Sequence, residues 1–305
     1  MKKRKLWTIV LVMVVMAMGL SACGDNNNGG NGDAEVGGDG SIGFSVSTLN
    51  NPFFVTLTEG AEEKAEEAGV ELIVVDAGDD VAKQASDIED LISRNISVLI
   101  VNPVDSDAVA PAVEDAIEAG IRVIAVDRAV NNVEVDTTIA SDNVAGAEMA
   151  TEYLVELVGE GGMVAELEGV PGASATIDRG TGFNNIASEM LEVLSSQTAN
   201  FNRAEGMTVM ENILQAHPDL QGVFAHNDEM ALGAIEAIEA SGRDIVVIGF
   251  DATDDALVSV AAGIMSATVA QQPDLMGATA VEVALRLIDG ESVEREMPVA
   301  VELVR

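Results

Sequence analysis

The chain has 305 residues, of which 48% are hydrophobic and only 3% aromatic. This length suits two domains of roughly 100–150 residues each better than one. The 52 Asp and Glu residues outnumber the 15 Lys and Arg residues, which gives a formal net charge of −37. Such a surface excludes the electrostatic attraction on which binding to nucleic acid or anionic lipid depends.

Residues 1–22 differ in composition from everything after them. Lys2 to Lys5 form a basic start, and residues 7–20 are apolar apart from Thr8. A charged start, a short apolar stretch and small residues at its end are typical of a secretion signal peptide. The apolar run is shorter than the ~20 residues of a membrane-spanning helix, so we prefer a cleaved signal to the alternative of an uncleaved membrane anchor.

Leu20-Ser21-Ala22-Cys23 resembles the bacterial lipoprotein box, in which the cysteine becomes the lipidated N-terminus after cleavage. Cys23 is the only cysteine of the chain, which excludes an intramolecular disulfide. Residues 23–40 are rich in Gly, Asn and Asp and have too few apolar groups to fold. We therefore expect a lipidated Cys23 and a flexible tether, with globular sequence from about Ser41. The chain from Cys23 onward carries 11 Lys and Arg and all 52 Asp and Glu, a net charge of −41.

From Ser41 onward, short β-branched runs alternate with Ala-, Glu- and Leu-rich stretches of helical character. Strands are predicted over residues 42–47, 71–76, 98–102, 122–127, 163–167, 221–226, 245–251 and 265–270. Helices are predicted over residues 52–68, 82–93, 107–119, 144–157, 174–190, 203–216, 229–240, 254–262 and 273–288.

The alternation of strands and helices favours parallel sheets that are covered by helices on both faces. Runs such as Val98 to Val101 are continuously apolar, which is typical of buried parallel strands. The strands are too many for one small sheet. The predicted fold class is therefore α/β, with two doubly wound parallel-sheet lobes.

Polar residues end several of the predicted strands, at the edge where doubly wound folds bind their ligands. They are Ser47, Asp76, Asn102, Asp127, Asn227 and Asp251.

The loop after the first strand contains Asn51, Phe53 and Phe54. The two phenylalanines either pack against the start of the next helix or form a wall for the apolar face of a sugar ring. Asp127-Arg128 at the end of the fourth strand is either an ordinary surface ion pair or a set of donors and acceptors for neighbouring hydroxyl groups. The pattern alone leaves both alternatives open.

Five further positions each have an ordinary structural explanation. An Arg on a helix is usually exposed, a loop aromatic is usually buried, and a polar residue after a strand is often a helix cap. None of the five identifies a site by itself. They are Arg179, Phe201, Asn227, Asp251 and Gln271.

Together, these stretches resemble the bacterial ribose-binding proteins of ABC importers, within the wider periplasmic sugar-binding family. The resemblance runs from about Ile42 to the end of the chain, with short gaps near 191–200 and 240–245. The stretches that carry it are Ser-Thr-Leu-Asn-Asn-Pro-Phe-Phe (47–54), Asn-Pro-Val-Asp-Ser-Asp-Ala-Val (102–109), Asp127-Arg128, Ile-Ala-Ser-Asp-Asn-Val (139–144), Arg-Gly-Thr-Gly-Phe (179–183), Asn-Asp-Glu-Met-Ala-Leu-Gly-Ala (227–234), Gly-Phe-Asp (249–251) and Ala-Gln-Gln-Pro-Asp (270–274).

The resemblance implies a periplasmic binding protein type I fold, with two lobes joined by a three-strand hinge. The N-terminal lobe would comprise residues 41–141 plus 272–300, and the C-terminal lobe residues 142–271 plus 301–305. The three phenylalanines of the site would sandwich the sugar ring, and its charged and amide side chains would bind hydroxyl groups. Residue by residue, the implied ligand contacts are Ser47, Asn51, Phe53, Phe54, Asp127, Arg128, Arg179, Phe201, Asn227, Asp251 and Gln271.

In function, the resemblance implies a monomeric binding protein that captures D-ribose by lobe closure and delivers it to the membrane permease of an ABC importer. We expect no enzymatic activity, cofactor, metal or nucleic-acid partner. The expected location is extracytoplasmic, in a periplasm or on the outer face of a single-membrane cell, with the membrane reached only through the lipid on Cys23. Whether a chemoreceptor is a further partner is left open.

Three alternatives remain beside this interpretation. In the first two alternatives, the ligand is another monosaccharide (allose, galactose or xylose) or a signalling furanose. In the third, the chain is a secreted α/β enzyme that acts on sugars. Against the enzyme alternative, no Gly-x-Gly-x-x-Gly follows the first strand, and the chain contains neither a P-loop Gly-Lys-Ser/Thr nor a Gly-x-Ser-x-Gly motif. A sugar-responsive transcription regulator would need a basic N-terminal DNA-binding domain in place of the signal and tether. No Asp-x-Asp-x-Asn/Asp-Gly calcium loop occurs.

Cys23 supplies a direct test of the anchor. We expect the full-length chain, expressed in a bacterium that processes lipoproteins, to fractionate with membranes and to yield an N-terminal peptide whose mass includes acyl chains on Cys23. Cys23→Ser should abolish the modification, because serine offers no thiol to acylate. Wild-type protein with an unmodified Cys23 would contradict the lipoprotein interpretation.

Overall fold

The computed structural model describes residues 40–305. The predicted signal peptide, Cys23 and the tether up to residue 39 lie outside the described residues. The strands are β1 (Ile42–Val46), β2 (Leu72–Asp76), β3 (Val98–Val101), β4 (Arg122–Val126), β5 (Thr137–Ser141), β6 (Gly162–Glu168), β7 (Leu191–Thr198), β8 (Gly222–Ala225), β9 (Val246–Asp251), β10 (Ala267–Ala270), β11 (Glu296–Val299) and β12 (Glu302–Val304). The helices are α1 (Pro52–Ala68), α2 (Val81–Ser93), α3 (Ala110–Glu118), α4 (Asn143–Val158), α5 (Ser174–Met190), α6 (Arg203–Ala216), α7 (Asp228–Ser241), α8 (Asp254–Ala261) and α9 (Pro273–Ile288).

The strands form two six-stranded sheets. The first has the order β11-β5-β4-β3-β1-β2, and the second has the order β12-β10-β9-β8-β6-β7. Every neighbouring pair is parallel except β10 and β12. Both sheets reverse their strand order beside their first strand, the topology that opens a crevice at the carboxyl ends of the strands. The predicted α/β class with two doubly wound lobes is confirmed.

Each sheet is covered by helices on both faces, as strand β3 illustrates. Val98 and Ile100 pack in one hydrophobic cluster with residues of α1 and α9. Leu99 and Val101 pack in another cluster with residues of α2 and α3. Because successive side chains of a strand point to opposite faces, a strand that is buried on both faces must be apolar throughout.

The chain passes between the two lobes three times. It leaves the first sheet after β5 and enters the second through α4 and β6. After β10 the chain returns to the first lobe, where α9 packs on α1. Finally β11 joins the first sheet and β12 the second. These crossings lie near residues 142, 271 and 300, and the exact lobe boundaries stay a prediction.

Four of the described strands were not predicted from the sequence. Three of them, β7, β11 and β12, lie at sheet edges and are largely exposed, so they have no continuous apolar run. The fourth, β5, alternates between buried and half-buried residues and contains mostly small polar side chains. Helix α3 begins at Ala110 rather than at residue 107, because the Asp105 carboxylate accepts hydrogen bonds from the N–H groups of Asp107 and Ala108 and holds them in a turn. No described helix is long and apolar enough to cross a membrane.

Helices α1 and α9 approach each other through two glycines. A Cβ atom on Gly60 would lie 2.3 Å from the carbonyl oxygen of Asp274. A Cβ atom on Gly277 would lie 1.9 Å from the carbonyl oxygen of Leu57. Both contacts are with backbone, so a side chain at either position forces the helices apart.

We expect Gly277→Ala to lower the free energy of unfolding by about 2–3 kcal/mol, because the added methyl group overpacks the α1–α9 interface. Gly180→Ala is the matched control, since the nearest atom to its Cβ would be 3.6 Å away, an ordinary contact. Alanine there should stabilise the helix by roughly 0.5–1 kcal/mol. Urea unfolding of the two variants checks this, and indistinguishable midpoints would refute the role of Gly277.

Candidate ligand-binding site

A small cavity lies where the carboxyl ends of the strands of both sheets meet. The space between its walls is about 240 Å³, which includes its opening to solvent. A cavity of this size excludes an oligosaccharide. The residues that line the cavity are Asn51, Phe53, Phe54, Asp127, Arg128, Ala175, Arg179, Phe201, Asn227, Asp251 and Gln271.

Two phenylalanines at the start of α1 form the aromatic wall of the first lobe. The Asn51 side chain caps the helix by accepting a hydrogen bond from the N–H of Phe53 over 3.0 Å. The rings of Phe53 and Phe54 meet edge to face, with centroids 5.2 Å apart. Both rings also belong to the core cluster under α1. The two sequence-based interpretations are therefore compatible, because these residues pack the helix start and border the cavity at once.

Phe201 supplies the aromatic wall of the second lobe from a strained loop. Its φ of 56° lies in the left-handed region, which is costly for an aromatic residue. Its ring packs directly over Gly169, where a Cβ atom would lie 2.0 Å from the ring. Only glycine at 169 leaves room for the ring in this position.

The first lobe contributes a buried pair of opposite charges, Asp127 and Arg128. The Arg128 Nε lies 3.7 Å from the Asp127 Oδ2. The Asn102 side chain donates to the same oxygen over 3.2 Å, and the Arg128 Nη1 donates to the carbonyl of Pro103 over 2.8 Å. Burial raises the pKa of Asp127 above its ordinary value, and the positive charge of Arg128 acts in the opposite direction.

The second lobe contributes a matching pair, Arg179 and Asp251, 3.7 Å apart. Arg179 donates from Nε to the Asn143 side chain over 2.8 Å and from Nη1 to the carbonyl of His226 over 2.5 Å. The Gln271 side chain donates to the Asp251 Oδ1 over 2.7 Å. Burial raises the pKa of Asp251, and Arg179 again opposes the shift. With all four charged groups ionised, the cavity carries no net charge.

Three buried polar atoms of the lining residues have no hydrogen-bond partner within the described part of the protein. They are two acceptors, the Asp127 Oδ1 and the Gln271 Oε1, and one donor, the Arg128 Nε. Unpaired buried polar atoms are costly, and their cost falls when a ligand pairs with them. A hydroxyl group can pair with either kind, because it both donates and accepts.

Ten of the eleven predicted site residues line the cavity. Ser47 does not: it is fully buried, and its N–H donates to the Asn102 side chain over 3.2 Å. Its role in ligand binding stays a prediction. Asn227 borders the cavity, but its side chain also caps α7 and donates to the carbonyl of Phe201 over 3.3 Å.

Ala175 and most of the residues that support the charged pairs were not predicted as site residues from the sequence. Alanine carries no functional group that a motif could reveal. Asn102 was named as a polar strand end, and both Asn102 and Asn143 belong to stretches that carry the family resemblance, but neither was predicted to support a charged pair. Their contacts join residues 25 and 36 positions apart in the chain, so no local pattern could have indicated them.

The family described as "Periplasmic binding protein domain" matches residues 42–292 of the chain. The chain belongs to the periplasmic binding protein family. It is 53% identical to the ribose import binding protein of Bacillus subtilis (strain 168) over 262 residues, 86% of each protein. It is 47% identical to the ribose import binding protein of Escherichia coli (strain K12) over 265 residues, 86% of this chain and 90% of that protein.

A solved structure with the periplasmic binding protein fold is also similar to this chain. It is the ABC transporter solute-binding protein of Bacillus halodurans C-125 with bound myo-inositol, with a TM-score of 0.83 and 36% identity over 90% of this chain and 96% of that one. The resemblance seen in the sequence is confirmed. Membership of the family implies an extracytoplasmic location for this periplasmic binding protein.

Behind the cavity of this periplasmic binding protein, the buried carboxyl group of Asp228 holds the chain that follows Asp251. It accepts hydrogen bonds from the N–H of Thr253 over 2.8 Å and from the hydroxyl of Thr268 over 2.7 Å. Burial raises the pKa of Asp228 from 3.8 to about 7, and these hydrogen bonds act in the opposite direction. Asp228 thereby fixes the turn that presents Asp251 to the cavity.

The raised pKa of Asp228 predicts a pH-dependent stability. The folded protein keeps this proton up to about pH 7, whereas the unfolded chain releases it near pH 4. The contribution of the group is therefore fully present below about pH 4 and is lost as the pH rises through 7. Asp228→Asn cannot titrate, so the free energy of unfolding of the wild type, relative to this variant, should fall by about 1–4 kcal/mol between pH 4 and pH 8.

Urea unfolding across this pH range measures the difference, and Asp219→Asn, at an exposed position, serves as the control. Since both variants lose one acidic side chain, the effect of overall charge cancels between them. A difference between wild type and Asp228→Asn that stays constant with pH would show that Asp228 does not titrate in this range.

Proposed function

We propose that this periplasmic binding protein captures D-ribose between its two lobes and delivers it to the membrane permease of an ABC importer. The observation that carries the proposal is the cavity between the lobes, where two buried Arg–Asp pairs lie among three phenylalanine rings and three buried polar atoms lack a hydrogen-bond partner.

The chemistry of the walls favours a neutral polyhydroxylated ring. Arg and Asp side chains side by side offer donors and acceptors to neighbouring hydroxyl groups, and such charge-assisted hydrogen bonds are the stronger kind. Aromatic faces suit the apolar C–H surfaces of a sugar ring. With all four charged groups ionised, the charges cancel in pairs, and the cavity has no excess charge to attract an anion or a cation.

Ribose is favoured over other sugars by the two relatives named ribose import binding proteins, at 53% and 47% identity. Ten of the predicted ribose contacts line one cavity, which supports the same ligand. The alternative is another monosaccharide, since the similar Bacillus halodurans structure holds myo-inositol.

We further propose that binding closes the lobes, which comprise residues 41–141 plus 272–300 and residues 142–271 plus 301–305. Asn51, Phe53, Phe54 and the Asp127–Arg128 pair belong to the first lobe, and Arg179, Phe201, Asn227 and Asp251 to the second. A ligand that touches both sets stabilises the closed form, since only that form offers all the contacts. Closure would let the permease distinguish loaded from empty protein.

We propose binding without catalysis. No hydroxyl, thiol, imidazole or amine side chain lines the described cavity, and each carboxylate there already faces an arginine. The His226 ring instead contacts Glu166 over 2.9 Å, away from the cavity wall. Lipid anchoring through Cys23 would keep the protein near its permease, and it rests on the lipoprotein box of residues 20–23.

Calorimetric titration of the unlipidated chain from Cys23 onward should show tight binding of D-ribose and weaker or no binding of D-allose, D-galactose, D-xylose and myo-inositol. Arg128→Ala and Asp251→Asn should each weaken ribose binding by at least about 100-fold, because each removes charge-assisted hydrogen bonds and leaves a buried charge unpaired. The sugar should be recovered chemically unchanged.

Arg286→Ala is the matched control, since the Arg286 side chain is exposed and pairs with Glu291 far from the cavity. It should bind ribose as the wild type does. Tight binding of a different sugar would overturn the ribose assignment and keep the class. A folded wild type that binds none of these sugars would overturn the proposed function itself.

A further inference from the structure

Three hydrogen bonds join the lobes directly, without passing through the cavity. The N–H of Ser106 donates to the carbonyl of Gly172 over 3.0 Å. The N–H of Ser174 donates to the hydroxyl of Ser106 over 3.1 Å, and the N–H of Ala129 donates to the hydroxyl of Ser174 over 2.9 Å. Ser106 and Ala129 follow strands β3 and β4 of the first sheet, whereas Gly172 and Ser174 follow β6 of the second. We call these three hydrogen bonds the lobe latch.

The latch completes a helix that its own lobe leaves uncapped. The N-cap residue of α5, Ala173, has no side chain that could accept a hydrogen bond from the first turn. The first N–H groups of a helix need such a partner. Ser106 of the opposite lobe provides one for Ser174, the first residue of α5. The cap therefore exists only while the lobes are together.

The latch lies beside the charged pairs but does not border the cavity. None of its four residues lines the cavity wall. Ala129 directly follows Arg128, and Ser174 directly precedes the lining residue Ala175 on the helix that carries Arg179. The latch therefore joins the two arginine-bearing segments of the opposite lobes beside the cavity.

We propose that Ser106 and Ser174 are positioning residues that set the affinity for the sugar by stabilising the closed form. This inference rests on the proposed function, because it concerns the closure that accompanies capture. The latch contributes to the stability of the closed form whichever sugar is bound, and the cavity walls decide which sugar that is. A ligand binds more weakly when the competent form is less populated, by the factor by which that population falls.

The test measures the dissociation constant for D-ribose in Ser106→Ala, Ser174→Ala and the double variant. Each single variant should bind roughly fivefold more weakly, the usual effect of losing one cap or one neutral hydrogen bond. The double variant should lose more than either single variant. Ser174→Thr keeps the hydroxyl group and should restore affinity to within about twofold of the wild type.

Two further measurements separate a latch from a simple loss of fold or of pocket contacts. The thermal midpoint of the ligand-free variants should match that of the wild type, whereas Ser241→Ala, a control that removes a hydrogen bond to Ile238 within one lobe, should lower it. The ratio of affinities for ribose and any second sugar that the wild type binds should not change. A destabilised ligand-free protein, a changed ratio, or an unchanged affinity in the double variant would each overturn the latch. Failure of the folded wild type to bind any sugar would instead overturn the proposed function.

Discussion

The cost of burying charge governs the architecture of the site. Arg128, Asp127, Arg179 and Asp251 are each almost fully removed from solvent, and such groups are tolerated only with partners close by. Each lobe pairs its own arginine with its own aspartate and adds amide or carbonyl partners that follow its parallel strands. Because each lobe pairs its own buried site charges, separation of the lobes leaves no buried charge without its partner.

Backbone strain is concentrated at the same place. Asp127, Phe201, Asp251 and Ala252 all adopt positive φ values, which non-glycine residues normally avoid. Such conformations persist only where the surrounding structure holds them, and they recur at functional sites. The hydrogen bonds of Asn102 and Asp228 hold the strained segments at Asp127 and Asp251. The lack of a side chain at Gly169 leaves room for the ring of Phe201. Three of these strained residues, Asp127, Phe201 and Asp251, line the cavity.

The two lobes contact each other in two ways, which have different consequences. In the cavity, the Arg128 guanidinium of the first lobe lies 5.4 Å from the Phe201 ring of the second, and both border the ligand space. Outside it, backbone and serine hydroxyl groups meet directly. The first kind borders the ligand space and the second does not, so the proposed latch can change the strength of closure without changing the groups that select the ligand.

The sequence alone determined the fold class, because helices and buried parallel strands repeat apolar residues at fixed periods. It indicated most of the site only through the resemblance to a known family, because each site residue by itself also had an ordinary structural explanation. The rule that polar strand ends face the ligand edge placed Asp127, Asn227 and Asp251 correctly, but not Ser47. Tertiary structure decided the rest. The edge strands β7, β11 and β12 are stabilised by pairing with distant neighbours and not by an apolar run of their own. Ser47 turns inward and Ala175 lines the cavity because of how distant segments pack, and the Ser106–Ser174 contact joins residues 68 positions apart. Contacts of that separation leave no periodic trace in a single sequence.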